Sequence, residues 1–325
     1  MTPHEAIEGF GGVQASVTGA GGFIGLAVCR RLAEAGAQVS GVDLDPARAT
    51  AIEAAGATPV QADVTDRDTV AAAIADSEFV VHTAANVREW GPMRDFIRVN
   101  VGGTAAVLDA ADEAARVVHL SSVVVYGYED AAVQDEAAPR RAVGIPYVDT
   151  KSASDRLACD RGAVVIRPGD VYGPGSVPWV SRPIALMRRR LLAVPRDSVM
   201  LPIFVDDLVD AVIRGLTSGT PGAAYAVWDG SETSFGEYFD LLADAAGVPR
   251  PMRLPKPLLW LLGAGAEGAA MTIGREPLLG RHGATFISRT GSVSNRRART
   301  ELGWEPRTSL VEGVRKSADP GRGVA

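Results

Sequence analysis

The stretch Tyr147–Lys151, reading YVDTK, sets a phenol and an ammonium four residues apart. On a helix, positions i and i+4 project from one face, so the two groups would meet in one space. A phenol titrates near pH 10, too high for an efficient base at neutrality. A cation beside it stabilises the phenolate and lowers that value. The chemistry on offer is proton transfer to or from an oxygen. Lysine is scarce in this chain, three residues against 30 arginines. A lysine at 151 therefore marks a place where a flexible ammonium is needed and a planar guanidinium will not serve. Ser122 lies 25 residues before Tyr147, in HLSSVVVYG, where its hydroxyl can hold a substrate oxygen beside the phenol. Its neighbour Ser121 competes for that role. Asn100, in VNVGGT, anchors a backbone carbonyl or a proton-relay water, or else packs as a helix amide.

A second constellation is TGAGGFIG, Thr18–Gly25, between a strand-like and a helix-like segment. Gly19 permits a tight turn, Gly22 lets the backbone approach a pyrophosphate, and Gly25 lets the helix pack close to the sheet. Free N–H groups at the helix start would then face the phosphates. Asp43 follows Gly19 by 24 residues, at the end of the next strand-like segment. A carboxylate there accepts hydrogen bonds from both ribose hydroxyls and repels a 2′-phosphate, which favours NAD over NADP. Arg48 stands close enough to argue the other way. Asp63, in ADVTD, is placed to meet an adenine or to cap a helix.

These residues need a scaffold, and the first half of the chain spells one out. Strand-like VQASVT, AQVSGVD, TPVQADV, EFVVHTAA, RVVHLSS and AVVIRPG alternate with helix-like segments, among them Phe23–Gly36, PMRDFIRVNVGGTAAVLDAADEAA and YVDTKSASDRLACDRG. That rhythm predicts right-handed βαβ units and a parallel sheet covered on both faces. The expected fold is α/β, a doubly wound Rossmann sheet with a second, smaller α/β substrate lobe. Residues 1–172 form the dinucleotide-binding domain, and FVDDLVDAVIRGL and AAYAVWD return the chain to it at about 204–228. Prolines punctuate the remainder, so 173–203 and 229–325 are read as the smaller lobe, with a frayed end in SADPGRGVA.

The 325 residues carry a formal charge of −6, and no basic face suggests nucleic acid. Cys29 and Cys159 fall in helix-like stretches without a CxxC pair or a disulfide framework, and no metal site is expected. The start MTPHEAIEGFGG has no signal-peptide pattern, and the apolar run Pro257–Met271 is too short to span a bilayer. The expectation is a cytoplasmic protein with no membrane span.

Together the motifs resemble those of the extended short-chain dehydrogenase/reductases. TGAGGFIG, HTAA (His82–Ala85), NVGGT, SSVVVYG, YVDTK, RPGDVYGPG (Arg167–Gly175), FVDDLVDA and RTELGWEPRTSLVEGV stand in that family's order and cover almost the whole chain. The resemblance implies a catalytic triad of Ser122, Tyr147 and Lys151, with Asn100 as a fourth member. It implies NAD contacts from Gly19, Gly22, Phe23, Ile24, Gly25, Asp43, Asp63, Val64, Ala84, Ala85, Tyr147, Lys151, Pro168 and Val171. It also implies a homodimer through the helices carrying Asn100 and Tyr147. Thr150 departs from the usual Ser before the lysine.

Sugar-nucleotide 4,6-dehydratases carry Asp-Glu after the active-site hydroxyl; here Val123 and Val124 leave dehydration without its proton carriers. The chain looks more like the 3β-hydroxysteroid dehydrogenase branch. Val124, Trp90 and Trp179 are the expected substrate contacts, and Met93, Leu258, Leu259, Trp260 and Met271 are further candidates for a greasy pocket. The expected function is NAD(H)-dependent interconversion of a secondary alcohol and a ketone on a bulky, mostly apolar small molecule. A nucleotide-sugar epimerase that retains NAD is the alternative. A non-catalytic dinucleotide sensor fits less well, because such proteins typically lack the Tyr/Lys pair.

Overall fold

The computed structural model describes residues 10–88, 90–128, 133–273 and 280–319, without the side chains of 269–273. The amino-terminal stretch, the side chain of Met271 and the chain end beyond 319 lie outside the described residues.

Seven strands form one parallel sheet: β1 Gln14–Thr18, β2 Gln38–Asp43, β3 Thr58–Gln61, β4 Phe79–His82, β5 Arg116–Leu120, β6 Val164–Pro168 and β7 Ala224–Val227. Their order is β3-β2-β1-β4-β5-β6-β7. β1 reads Ala-Ser-Val-Thr without an exposed position after Gln14, as expected of a strand with helices on both faces. The helices Phe23–Glu34 and Val205–Ser218 pack together, while Arg67–Ile74, the helical stretch 93–110 and Pro146–Asp160 form a second contiguous layer. The late strand β7 pairs with β6 in register Ala224 to Val165. The sheet winds outward in both directions from between β1 and β4, and a cleft opens at the carboxyl ends of strands at such a switch point.

Register places the polar residues of the sheet. Val42, Thr18, His82 and His119 lie side by side across β2, β1, β4 and β5. Neighbours in register share a face of the sheet, so two histidines and a threonine form a polar row at the strand ends. Helix 93–110 contains a π-type turn, Ile97–Gly103, that carries Asn100. Such turns recur at functional sites because they re-aim one side chain. The sequence suggested a helix running on to Ala115; the structure ends it at Ala110 and closes Asp112–Ala115 as a turn.

A second core gathers Tyr172, Val180, Met187, Phe235, Tyr238, Phe239 and Leu242. Its main helix, Phe235–Ala246, begins with a complete capping box of Ser234 and Glu237, which satisfies two otherwise orphaned N–H groups. The stretch 229–325 does not stay wholly with this core. Ala298, Leu302 and Trp304 are buried in the sheet-side core, and the Trp304 indole donates to the Asp207 carbonyl.

Candidate active site

The turn after β1 brings backbone against backbone. Gly19 has φ +70°, and a Cβ there would stand 2.8 Å from the backbone of Ala84. A Cβ on Gly25 would run into the Gly19 carbonyl. Glycine is the residue that lets this loop and the following helix close around a flat, charged ligand. Asp43, at the end of β2, accepts from the N–H of Gly21 at 2.9 Å and of Asp45 at 3.0 Å. Its carboxylate is thereby fixed at the mouth of the glycine turn, facing the cleft. Asp63 accepts from Thr65 N–H and lies 3.8 Å from the Arg98 guanidinium. The helix that follows is capped by Asp66 instead, so Asp63 is free of that duty and it too lines the cleft. The residue set fits a dinucleotide.

The cleft measures about 630 Å³. Its wall includes Gly19, Gly22, Phe23, Ile24, Gly25, Asp43, Asp63, Val64, Ala84, Ala85, Pro168 and Val171. The structure therefore brings together all the residues the sequence assigns to the cofactor. Ser122, Val124, Tyr147, Lys151 and Trp179 line the same cleft.

Of the two serines, Ser122 is the one that acts on the Tyr147 hydroxyl. Ser122 opens a short turn, Val123–Tyr126, and accepts from the N–H of Val124 at 3.3 Å. The expectation that the neighbouring cation lowers the tyrosine pKa is corrected by burial. Tyr147 is pushed up to about 12 by desolvation, and the Ser122 hydrogen bond opposes this only in part. The phenol is thus fully protonated at neutral pH. Lys151 donates to the Leu120 carbonyl at 2.6 Å. Burial draws its pKa down to about 8, against the pull of Asp155. Asp155, four residues further along the same helix, is itself held by the buried Arg167 through bonds of 2.9 and 2.8 Å.

Asn100 does not reach the cleft wall. It is buried, accepts from the N–H of Asn86 at 2.6 Å, and donates to the Asn86 carbonyl and to the Thr150 hydroxyl. Thr150 in turn donates to the Pro146 carbonyl at 2.6 Å. The pair ties segment 85–88 to the helix of Tyr147, and the Thr at 150 does this with its hydroxyl. Behind them, the Thr18 hydroxyl meets His82 Nδ1 at 2.7 Å, and His82 Nε2 meets Thr104, which donates to the Asn100 carbonyl. With the Thr104 proton so committed, His82 carries its hydrogen on Nε2 and accepts from Thr18. Burial, reinforced by Lys151, lowers the His82 pKa to about 3, so the ring is neutral. The sequence shows His82 and His119 only as letters in motifs; the register across the sheet gives them their place beside Lys151.

The substrate side corrects the sequence in two segments of three. Trp90 is 43% exposed and outside the cleft wall, and Met93 is likewise exposed. Leu258, Trp260, Leu261 and Leu262 lie on exposed faces of the helix Lys256–Ile273, and Leu259 is buried away from the cleft. This helix packs closely on the next one: Gly263 approaches the backbone at Gly280, and Glu267 holds Arg281. The following helix, Arg281–Ile287, is the one that faces the cleft. It supplies His282, Gly283 and Phe286 to the wall. Of Val177–Val180, Pro178 and Trp179 remain, with Trp179 stacked on Phe235 at 5.7 Å and 5.9 Å from Phe286. Tyr128, Asp170 and Arg289 complete this half. Only Asp170 lay inside a noted motif, RPGDVYGPG. Nothing local in the sequence distinguishes His282, Phe286 or Arg289 from surface helix residues.

No helix among the described residues is long and apolar enough to cross a membrane, and among them no group of three His, Cys, Asp or Glu could hold a metal ion. Residues 15–227 match the model of the NAD dependent epimerase/dehydratase family. The chain is 27% identical to a 2-alkyl-3-oxoalkanoate reductase of Shewanella oneidensis, over 93% of this chain and 84% of that one. It is 30% identical to a UDP-glucose 4-epimerase of Mycolicibacterium smegmatis, over 93% and 96%. Among solved structures it is similar to MoeE5 in complex with UDP-glucose and NAD, with TM-score 0.75, 25% identity, and 94% and 97% of the two chains covered.

Proposed function

The chain belongs to the NAD-dependent epimerase/dehydratase family, as an enzyme that uses NAD, and within that family we propose that it interconverts a secondary alcohol and a ketone on a bulky, mostly apolar molecule, steroid-like or a specialised metabolite. The observation that carries this is the composition of the substrate half. Val124, Tyr128, Trp179 and Phe286 wall it with apolar surface, and Arg289 among them is already paired with Asp170, while Arg88 and Arg98 line the cleft outside this group. A nucleotide sugar brings two phosphates that would need charged or backbone donors there. An apolar ketone needs a few polar fixing groups at the reacting oxygen, and Ser122 with Tyr147 supplies them.

Gly19, Gly22, Gly25 and Asp43 would hold the dinucleotide's phosphates and ribose. When bound, NAD(H) supplies or accepts the hydride at the substrate carbon. The protein's own part is proton and charge. Tyr147, protonated because it is buried, gives its proton to the carbonyl oxygen in the reducing direction. Ser122 donates a hydrogen bond to the same oxygen as negative charge gathers on it. Lys151 brings a positive charge to the cleft, fixed through the Leu120 carbonyl. Asn100 acts from behind, by positioning segment 85–88 and the tyrosine helix. Residues 173–203 with much of 229–325 serve as the substrate lobe, and the helices 93–110 and Pro146–Asp160 as the face of a homodimer.

The second reading, epimerisation with retained NAD, is favoured by the resemblance to the UDP-glucose 4-epimerase. One experiment separates the two. The isolated protein is assayed for bound dinucleotide, for NADH oxidation with a panel of hydrophobic ketones, and for interconversion of UDP-sugars. Little retained NAD with ketone-dependent NADH oxidation is expected. Stoichiometric NAD with UDP-sugar epimerisation overturns the reductase reading.

A further inference from the structure

Among the described residues, three side chains that line the substrate half each carry a buried polar atom with no partner: the Tyr128 hydroxyl, Nδ1 of His282 and Nη1 of Arg289. Buried polar groups are nearly always bonded, so orphans gathered in one wall call for a missing partner. Tyr128 and Arg289 are each only 5% exposed. The three side chains are tied into one cluster. The Tyr128 ring lies 5.9 Å from that of His282 and edge-on to Phe286 at 5.6 Å, while the Arg289 guanidinium lies over Phe286 at 4.5 Å. A void of about 20 Å³ adjoins Val124, Tyr128 and Arg289, room for one water. His282 does not line that void, so a water there leaves the imidazole unanswered. All three residues border the cleft.

We infer that Tyr128, His282 and Arg289 form an anchor for a second, uncharged oxygen of the substrate, so that the preferred ketones carry a carbonyl or ester oxygen close to the reacting carbonyl. The inference rests on the reading of the site as a ketone reductase. All three groups can donate a hydrogen bond: a phenol, a neutral imidazole and a guanidinium. The charge of Arg289 is already balanced by Asp170, which also accepts from the Leu201 N–H at 2.9 Å. A carboxylate entering this wall would bring an unmatched buried charge, which is costly; a neutral acceptor brings none. The anchor lies near the chemistry, because Tyr128 and Tyr147 pack in one cluster with Val124 and Val148. The second oxygen therefore belongs a short chain length from the first, as in a 3-oxo ester.

The test uses three ketones of matched apolar bulk: a plain ketone, the corresponding 3-oxo ester and the 3-oxo acid, each with the intact enzyme and NADH. The ester is expected to exceed the plain ketone in kcat/KM by about tenfold or more, the worth of one or two net hydrogen bonds. The acid is expected to fall below the ester. Tyr128→Phe, which keeps the ring, and His282→Phe, which keeps an aromatic contact, should each bring the ester-to-ketone ratio down several-fold, chiefly through KM. A ratio near one in the wild type, or a variant that lowers both substrates equally, overturns the anchor and leaves ketone reduction standing. A preference for the acid overturns the uncharged oxygen. No NADH oxidation with any of the three overturns the reductase reading, and the anchor with it.

Discussion

On one side of the cleft Gly19 and Gly25 bring backbone against backbone, and two carboxylates there are held by backbone N–H groups: Asp43 by Gly21 and Asp45, Asp63 by Thr65. On the other side Trp179, Phe286 and Tyr128 close the space with rings, and polar atoms are left without partners. The first half comes from strand ends and the turns that follow them, so each contact is fixed by the sheet. The second comes from segments 124–128, 178–179 and 282–289, which only chain folding brings near one another. A half fixed by the sheet suits a ligand that never varies. A half built from rings with spare donors suits one particular substrate. Changes on one side should therefore leave the other side's constants largely alone.

The largest effect is expected where the halves meet. Tyr147→Phe removes the proton donor but keeps the ring, and turnover should fall by about 10²–10⁴-fold, while NADH binding measured by calorimetry changes little. Near-full turnover in this variant would end the catalytic assignment.

The pH profile comes next. The Lys151 pKa is depressed to about 8, so its charge is present below that pH and lost above it. Tyr147, raised to about 12, keeps its proton throughout. In the reducing direction kcat/KM should hold below pH 8 and fall as pH rises through it, approaching about tenfold per unit. A profile flat to pH 10 would remove the lysine's charge from the mechanism.

Asp43→Ala should weaken NADH by about tenfold, the worth of charge-assisted hydrogen bonds to a ribose, and relax discrimination against NADPH. The ketone KM should barely move. Tighter binding of NADPH than NADH by the wild type would transfer the credit to Arg48. The smallest effect is expected on the opposite side. Trp179→Leu keeps an apolar wall but loses ring area, and should raise the ketone KM several-fold with NADH affinity unchanged. If Asp43→Ala and Trp179→Leu each shift both constants, the two halves are not independent.

Much of the cofactor half was legible beforehand because its determinants are local. A strand, three glycines at fixed spacing and an acid at the next strand end can be read as letters, and the parallel sheet then sets them side by side. Tyr147 and Lys151 were legible for the same reason, since a helix fixes i and i+4. Their titration was not. The sequence suggested a lysine that lowers the phenol, whereas burial dominates and raises it, and no spacing reports burial. Trp90 and the Leu258–Leu262 run failed for a related cause. Apolar letters in a plausible order say nothing of which helix face turns inward, and in the structure the Arg281–Ile287 helix lines the cleft instead.

The sequence by itself determined the alternation of strand and helix, the glycine turn, the acid at the end of β2 and the Ser122, Tyr147, Lys151 set. Each depends on contacts within one or two neighbouring elements. The tertiary structure decided the rest: the neutral His82 wired between Thr18 and Thr104, the withdrawal of Asn100 behind the wall, and the meeting of Tyr128, His282 and Arg289. These depend on register across the sheet and on contacts between residues far apart in the chain, 64 positions for Thr18 and His82, 50 for Asn100 and Thr150 and more than a hundred for Tyr128 and His282, where the outcome is set by packing and desolvation and not by the order of residues along the chain.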